Sequence, residues 1–218
     1  MTRAQATVYV IDDDPSVREA IGSLLMSVGL RVELSGSVNE FMGQWERDGP
    51  GCLVLDIRLP GQSGLEFQDE LAGAHIDLPV IFITGHGDIR MSVRAMKSGA
   101  VEFLTKPFRD QDLLDAIQSA IAQDRTGQVA KDALDDLRQR AAVLTPRELE
   151  VMRHVICGRS NKQTAAELGI SEVTVKAHRG QVMRKMSARS ITDLVRMADK
   201  LESAEEAAKN QYESIGSL

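Results

Sequence analysis

The sequence Val8-Tyr9-Val10-Ile11-Asp12-Asp13 joins a short apolar run to a pair of carboxylates, and this pattern recurs along the N-terminal half of the chain. Short apolar runs rich in Val and Ile, separated by helical patterns, are typical of buried strands in a parallel sheet. An α/β fold is therefore predicted for this half. The later runs are Cys52-Leu53-Val54-Leu55-Asp56, Val80-Ile81-Phe82-Ile83-Thr84 and Val101-Glu102-Phe103-Leu104-Thr105-Lys106-Pro107.

A polar side chain follows each of these runs, at the carboxyl end of the predicted strand. Because these ends form the ligand crevice of a parallel sheet, the side chains of Asp12, Asp13, Asp56, Thr84 and Lys106 are expected to converge. Crowded carboxylates repel unless a cation joins them, and oxygen ligands of this kind suit Mg²⁺ (or Mn²⁺). An aspartate can also attack phosphorus. We therefore predict Asp56 as a phosphoryl acceptor, Asp12 and Asp13 as metal ligands, and Thr84 and Lys106 as partners of the phosphoryl oxygens.

With these residues in place, the segment from about residue 6 to 123 resembles the receiver domain of two-component response regulators. The resemblance implies a doubly wound, flavodoxin-like fold with strand order 2-1-3-4-5 and five flanking helices. It also implies that the backbone carbonyl of Arg58 is a further metal ligand, and that Lys106-Pro107 is a cis peptide. Phe103 falls on the position of the family's switch aromatic, which moves with Thr84. Plain packing of Phe103 on the sheet is the alternative that the sequence leaves open.

Charge is divided unevenly between the two halves of the 218-residue chain. Residues 1–122 carry 10 Lys and Arg against 18 Asp and Glu, whereas residues 144–200 carry 11 against 6. This asymmetry is expected when only one part of a chain meets nucleic acid. The two cysteines, Cys52 and Cys157, and the lack of an export signal or a long apolar run predict a cytoplasmic protein that does not enter a membrane.

Helix signals in the basic segment predict a helix-turn-helix. Thr145-Pro146, Ser160 and Ser171 are helix starts, and Gly169 lies between the last two helices. Residues 143–200 resemble the LuxR-type helix-turn-helix, and its combination with a receiver resembles the NarL/FixJ family. Within that family, the loop formed by residues 84–88 resembles FixJ more than NarL.

The second helix of this motif is expected to enter the major groove of DNA. Val173, Val175, Val182 and Met183 are predicted to face inward, and Gly180 departs from relatives that carry a base-contacting lysine there. The predicted DNA contacts, by base-edge or phosphate chemistry, are Lys162, Thr174, Lys176, Ala177, His178 and Arg179.

We predict four segments: a receiver at 1–124, a linker helix at 125–142, the LuxR-type module at 143–203 and a disordered tail at 204–218. The narrow apolar stripe of the linker could dock on the receiver, pair with its copy in a dimer, or belong to a solvated connector.

These features predict a phosphorylation-switched transcription regulator and not an enzyme, with at most slow self-dephosphorylation. Its expected partners are a sensor histidine kinase, double-stranded promoter DNA, RNA polymerase and, on activation, a second copy of the chain. Two alternatives remain. One is a haloacid-dehalogenase-like phosphatase with Asp12 or Asp14 as nucleophile, and the other is a receiver whose C-terminal domain binds a protein.

Overall fold

The structure is a computed structural model that describes residues 5–47, 49–74, 76–85 and 89–215, with side chains described through residue 206. The chain folds as two compact units, residues 1–128 and 129–218. Residues 86–88 of the loop that favours FixJ, and residues 216–218 of the predicted tail, lie outside the described ranges.

The first unit contains a five-stranded sheet in the order β2-β1-β3-β4-β5, with every neighbouring pair parallel. This confirms the predicted strand order. Every residue of β1, β3 and β4 is buried, as the continuous apolar runs require for strands covered on both faces. The strands are β1 (Thr7–Ile11), β2 (Arg31–Ser35), β3 (Gly51–Asp56), β4 (Val80–Thr84) and β5 (Glu102–Thr105).

Helices cover both faces of this sheet. One core cluster includes Tyr9, Phe67 and Phe82, and the other includes Val10 and Ile117. The clusters assign α2, α3 and α4 to one face and α1 and α5 to the other. The helices are α1 (Pro15–Ser27), α2 (Val38–Gln44), α3 (Gly64–Gly73), α4 (Ile89–Lys97) and α5 (Asp110–Ala142), whose first part belongs to this unit.

The second unit is helical, with its own core. Thr145, Ser160 and Ser171 cap the three helices that follow α5, and Gly169 adopts the left-handed conformation at φ 66° that ends the second of them. The core includes Val151, Val175, Val182, Met186 and Leu194. The helices are α6 (Pro146–Ile156), α7 (Asn161–Leu168), α8 (Glu172–Lys185) and α9 (Ile191–Ile215).

Three details differ from the sequence expectations. The predicted linker is not a separate helix, because α5 runs unbroken for 33 residues, and Leu137 and Ala141 pack into the core of the second unit. Val173 is 80% exposed and does not face inward. Residues 204–215 are helical as part of α9, where a disordered tail is predicted. None of the helices in the described part of the chain is long and apolar enough to cross a membrane.

Candidate functional site

The carboxyl edge of the sheet brings the predicted carboxylates together. Ile11 lies opposite Leu55 in the β1–β3 register, so Asp12 and Asp56 end adjacent strands side by side. One carboxylate oxygen from each of Asp12, Asp13 and Asp56 lies within 4.8 Å of the other two. Asp12 and Asp56 are buried, whereas Asp13 is exposed. The edge therefore concentrates negative charge at a point that solvent reaches from one side.

Lys106 joins the two buried carboxylates. Its Nζ atom lies 2.6 Å from Asp12 Oδ2 and 2.6 Å from Asp56 Oδ2. Its backbone amide donates to the carbonyl of Thr84 at 2.7 Å, and the predicted cis peptide precedes Pro107. Burial disfavours the ammonium, but the hydrogen bonds to Asp12 and Asp56 outweigh burial and raise the pKa of Lys106 above its ordinary value. The side chain is therefore cationic at neutral pH.

One ammonium does not neutralise three carboxylates. Burial raises the pKa of Asp12, even though Lys106 and the amide of Asp14 favour its ionised form. The amide of Asp14 donates to Asp12 Oδ1 at 3.0 Å, and the amide of Arg58 donates to Asp56 Oδ1 at 2.9 Å. A cluster of carboxylate oxygens with residual negative charge has the donor chemistry that Mg²⁺ prefers, so these residues fit the ion.

The two predicted switch residues lie on neighbouring strands. Thr84 is fully buried at the end of β4, where it pairs with Thr105 of β5. Phe103 is half-buried and packs against the core cluster that contains Phe82. The packing alternative for Phe103 therefore describes its present position, and its switch role stays a prediction. The metal-ligand role of the Arg58 carbonyl likewise stays a prediction.

Arg18 also contributes to this edge, although it is not among the residues predicted from the sequence. Its Nη1 atom donates to the backbone carbonyl of Asp12 at 2.6 Å, so α1 holds the turn that carries the first two carboxylates. Arg18 follows the N-cap Asp14 by four residues, which places it one helical turn into α1. That spacing is the only sequence signal for its position.

The helix-turn-helix residues divide into exposed and packed groups. Lys162, Lys176 and Ala177 are exposed, whereas Thr174 and His178 are half-buried. The Thr174 hydroxyl lies 2.8 Å from the hydroxyl of Ser171, within the N-terminal turn of α8. These five residues are available along α7 and α8, and their contacts with DNA stay predictions.

Arg179 has a partner within the protein. Its Nη1 atom donates to Asn161 Oδ1 at 2.9 Å, and its side chain is half-buried. The guanidinium thus joins α8 to the first residue of α7. Arg179 positions the two helices relative to each other, and its role as a direct DNA contact stays a prediction.

Two family profiles divide the chain as the fold does. The response regulator receiver domain matches residues 8–118, about half of the chain, and contains the acidic edge. The profile of bacterial regulatory proteins of the luxR family matches residues 142–198, which contain α6 to α8. The chain belongs to the response regulator family. The regulator accordingly combines a receiver with a DNA-binding module and acts in two-component regulation of transcription.

Relatives with similar sequences support the same architecture along the regulator's length. Nodulation protein W of Bradyrhizobium diazoefficiens is 53% identical over 197 residues, which cover 90% of this chain and 87% of the relative. The transcriptional regulatory protein FixJ of the same organism is 41% identical over 191 residues, which cover 88% of this chain and 93% of FixJ. These relatives confirm the resemblance to the NarL/FixJ family.

Solved structures agree with the fold of the regulator. The response regulator StyR matches with a TM-score of 0.82 and 47% identity over 90% of this chain and 100% of that chain. Full-length FixJ matches with a TM-score of 0.55 and 39% identity over 93% and 99% of the two chains. The receiver and the helical C-terminal module are thus both found in solved relatives.

An internal ion pair stabilises the DNA-binding module of the regulator. Glu148 Oε2 accepts from Lys185 Nζ at 2.6 Å and from the amide of Thr145 at 2.8 Å, which ties α6 to the end of α8. The bond from Lys185, followed by that from Thr145, lowers the pKa of Glu148 from 4.5 to about 2. Because the folded carboxyl titrates below the unfolded one, the stabilisation is complete above about pH 4.5 and is lost as the pH falls towards 2.

We expect E148Q to speed hydrogen exchange of the α6 and α8 amides at pH 6, because the ion pair is absent. At pH 3 the difference in exchange rate between E148Q and the unsubstituted protein should shrink, because the stabilisation from ionised Glu148 is already partly lost at that pH. Mass spectrometry measures the exchange at pH 6 and at pH 3, and the rates are corrected for the intrinsic exchange rate at each pH. E150Q is the matched control, because Glu150 forms only a partly exposed pair with Arg147. A difference that is equally large at both pH values would contradict the role of Glu148.

Proposed function

We propose that a sensor histidine kinase transfers a phosphoryl group to Asp56, and that this transfer controls binding of the α7–α8 module to promoter DNA. The observation that carries the proposal is the position of the Lys106 ammonium, 2.6 Å from the carboxylates of both Asp12 and Asp56 with Asp13 alongside. A cation in this position stabilises the negative charge that develops on the phosphoryl oxygens during transfer. The luxR-type module in the same chain supplies the output.

The transfer uses a carboxylate oxygen of Asp56 as nucleophile. That oxygen forms a bond to phosphorus while the bond between phosphorus and the kinase imidazole nitrogen breaks, and the bonding electrons return to the nitrogen. Lys106 and the hydroxyl of Thr84 receive the phosphoryl oxygens. Water later cleaves the acyl phosphate, so the regulator acts as an acceptor with slow self-dephosphorylation.

Asp12, Asp13, Asp56 and the backbone carbonyl of Arg58 would hold Mg²⁺ (or Mn²⁺). The support for this set is the clustering of the three carboxylates, whose oxygen atoms lie within 4.8 Å of one another. When bound, the cation neutralises charge on the phosphoryl oxygens.

The switch links Thr84 to Phe103. The new dianion on Asp56 draws in the Thr84 hydroxyl, and the space that this movement leaves lets Phe103 turn towards the sheet. This change requires only a few kcal/mol of differential stability between two populated states. The half-buried position of Phe103 beside the strand that carries Thr84 supports the coupling.

Activation brings two copies together on DNA. A beryllofluoride-activated receiver domain of NtrC4, 33% identical over 54% of this chain, is a dimer. We propose the same for this regulator, so that its two modules occupy half-sites about one helical turn apart in double-stranded promoter DNA. RNA polymerase is the proposed further partner, and kinase, regulator and chromosome would meet in the cytoplasm.

The test compares affinity for DNA with and without beryllofluoride, an analogue of the aspartyl phosphoryl group. Full-length protein is mixed with fragments of its own genome, and the retained fragments are used for titration. With Mg²⁺ and beryllofluoride the affinity should rise about 5- to 150-fold, and light scattering should report a dimer. The affinity should also fall steeply with salt, because phosphate contacts release counterions.

Omitting Mg²⁺ while keeping beryllofluoride is the matched control, and the affinity should then stay at its resting value. Equal affinity in all three conditions would contradict the proposed switch. Absence of any retained fragment, together with capture of a protein, would favour a C-terminal domain that binds protein. Steady hydrolysis of phosphate monoesters would favour the phosphatase alternative.

A further inference from the structure

Val173 is an apolar side chain that the core of the second unit does not use. It is the second residue of α8 and is 80% exposed, although the sequence pattern predicts that it faces inward. The buried face of the helix is formed by Val175 and Val182, which are almost fully enclosed. Val173 lies two residues from Val175, which is more than half a turn around the helix. It therefore projects on the side away from the core.

The face that contains Val173 is exposed along its length. Residues four, seven and eleven positions further along a helix share one side, and here these are Ala177, Gly180 and Arg184. All three are exposed. A Cβ atom built on Gly180 would have no neighbour within 4 Å, so packing inside the module does not require a glycine there. The face is therefore free to meet a partner.

Exposed cations on α7 and α8 indicate which partner fits this face. Lys176 and Arg184 are exposed on α8 itself, and Lys162 is exposed at the start of α7. Cations around a narrow helix surface complement the two phosphate backbones that border the major groove. A helix with small side chains can also approach the floor of the groove closely, and its N-terminal residues reach the base edges. Val173 occupies that N-terminal position.

We infer that Val173 reads the C5-methyl group of a thymine in the major groove. This inference rests on the proposed binding of DNA by α8 and adds a determinant of sequence preference to it. The thymine methyl is the apolar feature that the major groove displays, and the two methyl groups of valine can exclude water from it. Ala177, one turn further along the exposed face, leaves room for the base edge beside it.

The experiment removes the methyl groups first from the DNA and then from the protein. Full-length protein with Mg²⁺ and beryllofluoride is used to enrich binding sites from a random duplex pool. In one enriched duplex, deoxyuridine then replaces thymidine at one position at a time, which removes only the C5-methyl group. We expect one position per half-site where the unsubstituted protein loses about threefold to fivefold in affinity. V173A should bind the thymine and uracil duplexes equally well at that position.

V129A is the matched control, because Val129 is a valine exposed to 70% that belongs to α5 and not to α8. It should keep the full sensitivity to uracil. The inference is overturned if V173A shows the same uracil penalty as the unsubstituted protein, or if V173A weakens every duplex equally. Failure of the proposed DNA binding would look different, since the pool would then not enrich at all.

Discussion

Replacing Asp56 by asparagine should abolish phosphoryl uptake from acetyl phosphate, with label on the intact protein falling to background. An amide lacks the anionic oxygen that attacks phosphorus, so the reaction loses its nucleophile. The substitution keeps the size of the side chain and leaves an oxygen to accept from the amide of Arg58, which donates to Asp56 Oδ1 at 2.9 Å. D56N should therefore fold and bind DNA at its resting affinity, but gain nothing from a phosphoryl donor.

Asp14 provides the matched control for this substitution. It lies two residues past Asp12 and caps α1 by accepting from the amide of Ser16 at 2.8 Å, a role that asparagine also fills. D14N should take up label at the rate of the unsubstituted protein. Undiminished uptake by D56N would assign the acceptor to another residue, and loss in both variants would indicate damage to the turn after β1.

The sheet and its edge could be predicted from the sequence because local signals agree there with the tertiary structure. A continuous apolar run such as Val8–Ile11 has to be buried on both faces, and the residue that follows it then lies at the carboxyl edge. The sequence does not reveal which carboxylates Lys106 joins, since that depends on its side-chain conformation. Nor does it reveal the contact of Arg18 with the Asp12 carbonyl, which depends on how α1 packs.

The errors in the C-terminal half have physical reasons. Val173 and Val175 are two residues apart in a helix and so lie on nearly opposite sides, and only the partners of Val175 in the core decide which one is buried. The DNA contact of Arg179 stays a prediction, but the sequence does not reveal that Asn161, 18 residues away, accepts its hydrogen bond. The segment 125–142 is predicted as a separate linker helix, yet Gly127 costs only about 1 kcal/mol there and leaves α5 continuous.

Replacing Lys106 by methionine should destabilise the receiver by about 3 kcal/mol in the absence of divalent cations. The side chains of Asp12 and Asp56 are 0% and 9% exposed, and Lys106 is the cation within hydrogen-bond distance of both among the described residues. Its removal leaves two buried carboxylates without their counter-ion. Urea unfolding followed by fluorescence of Trp45 measures the change, because this single tryptophan packs against Tyr9 and Phe41 in the receiver core.

Magnesium should reverse much of this loss. Without the competing ammonium, the three carboxylates repel each other more strongly, so K106M should bind Mg²⁺ more tightly than the unsubstituted protein while taking up phosphoryl groups more slowly. K97M is the matched control, since Lys97 is exposed on α4 and its loss should change neither stability nor Mg²⁺ affinity. If K106M were as stable as K97M, or if Mg²⁺ did not restore it, Lys106 would not be the counter-ion of this cluster. Tighter binding of the metal combined with slower uptake separates the two roles of Lys106, which are neutralising Asp12 and Asp56 at rest and meeting the phosphoryl oxygens during transfer.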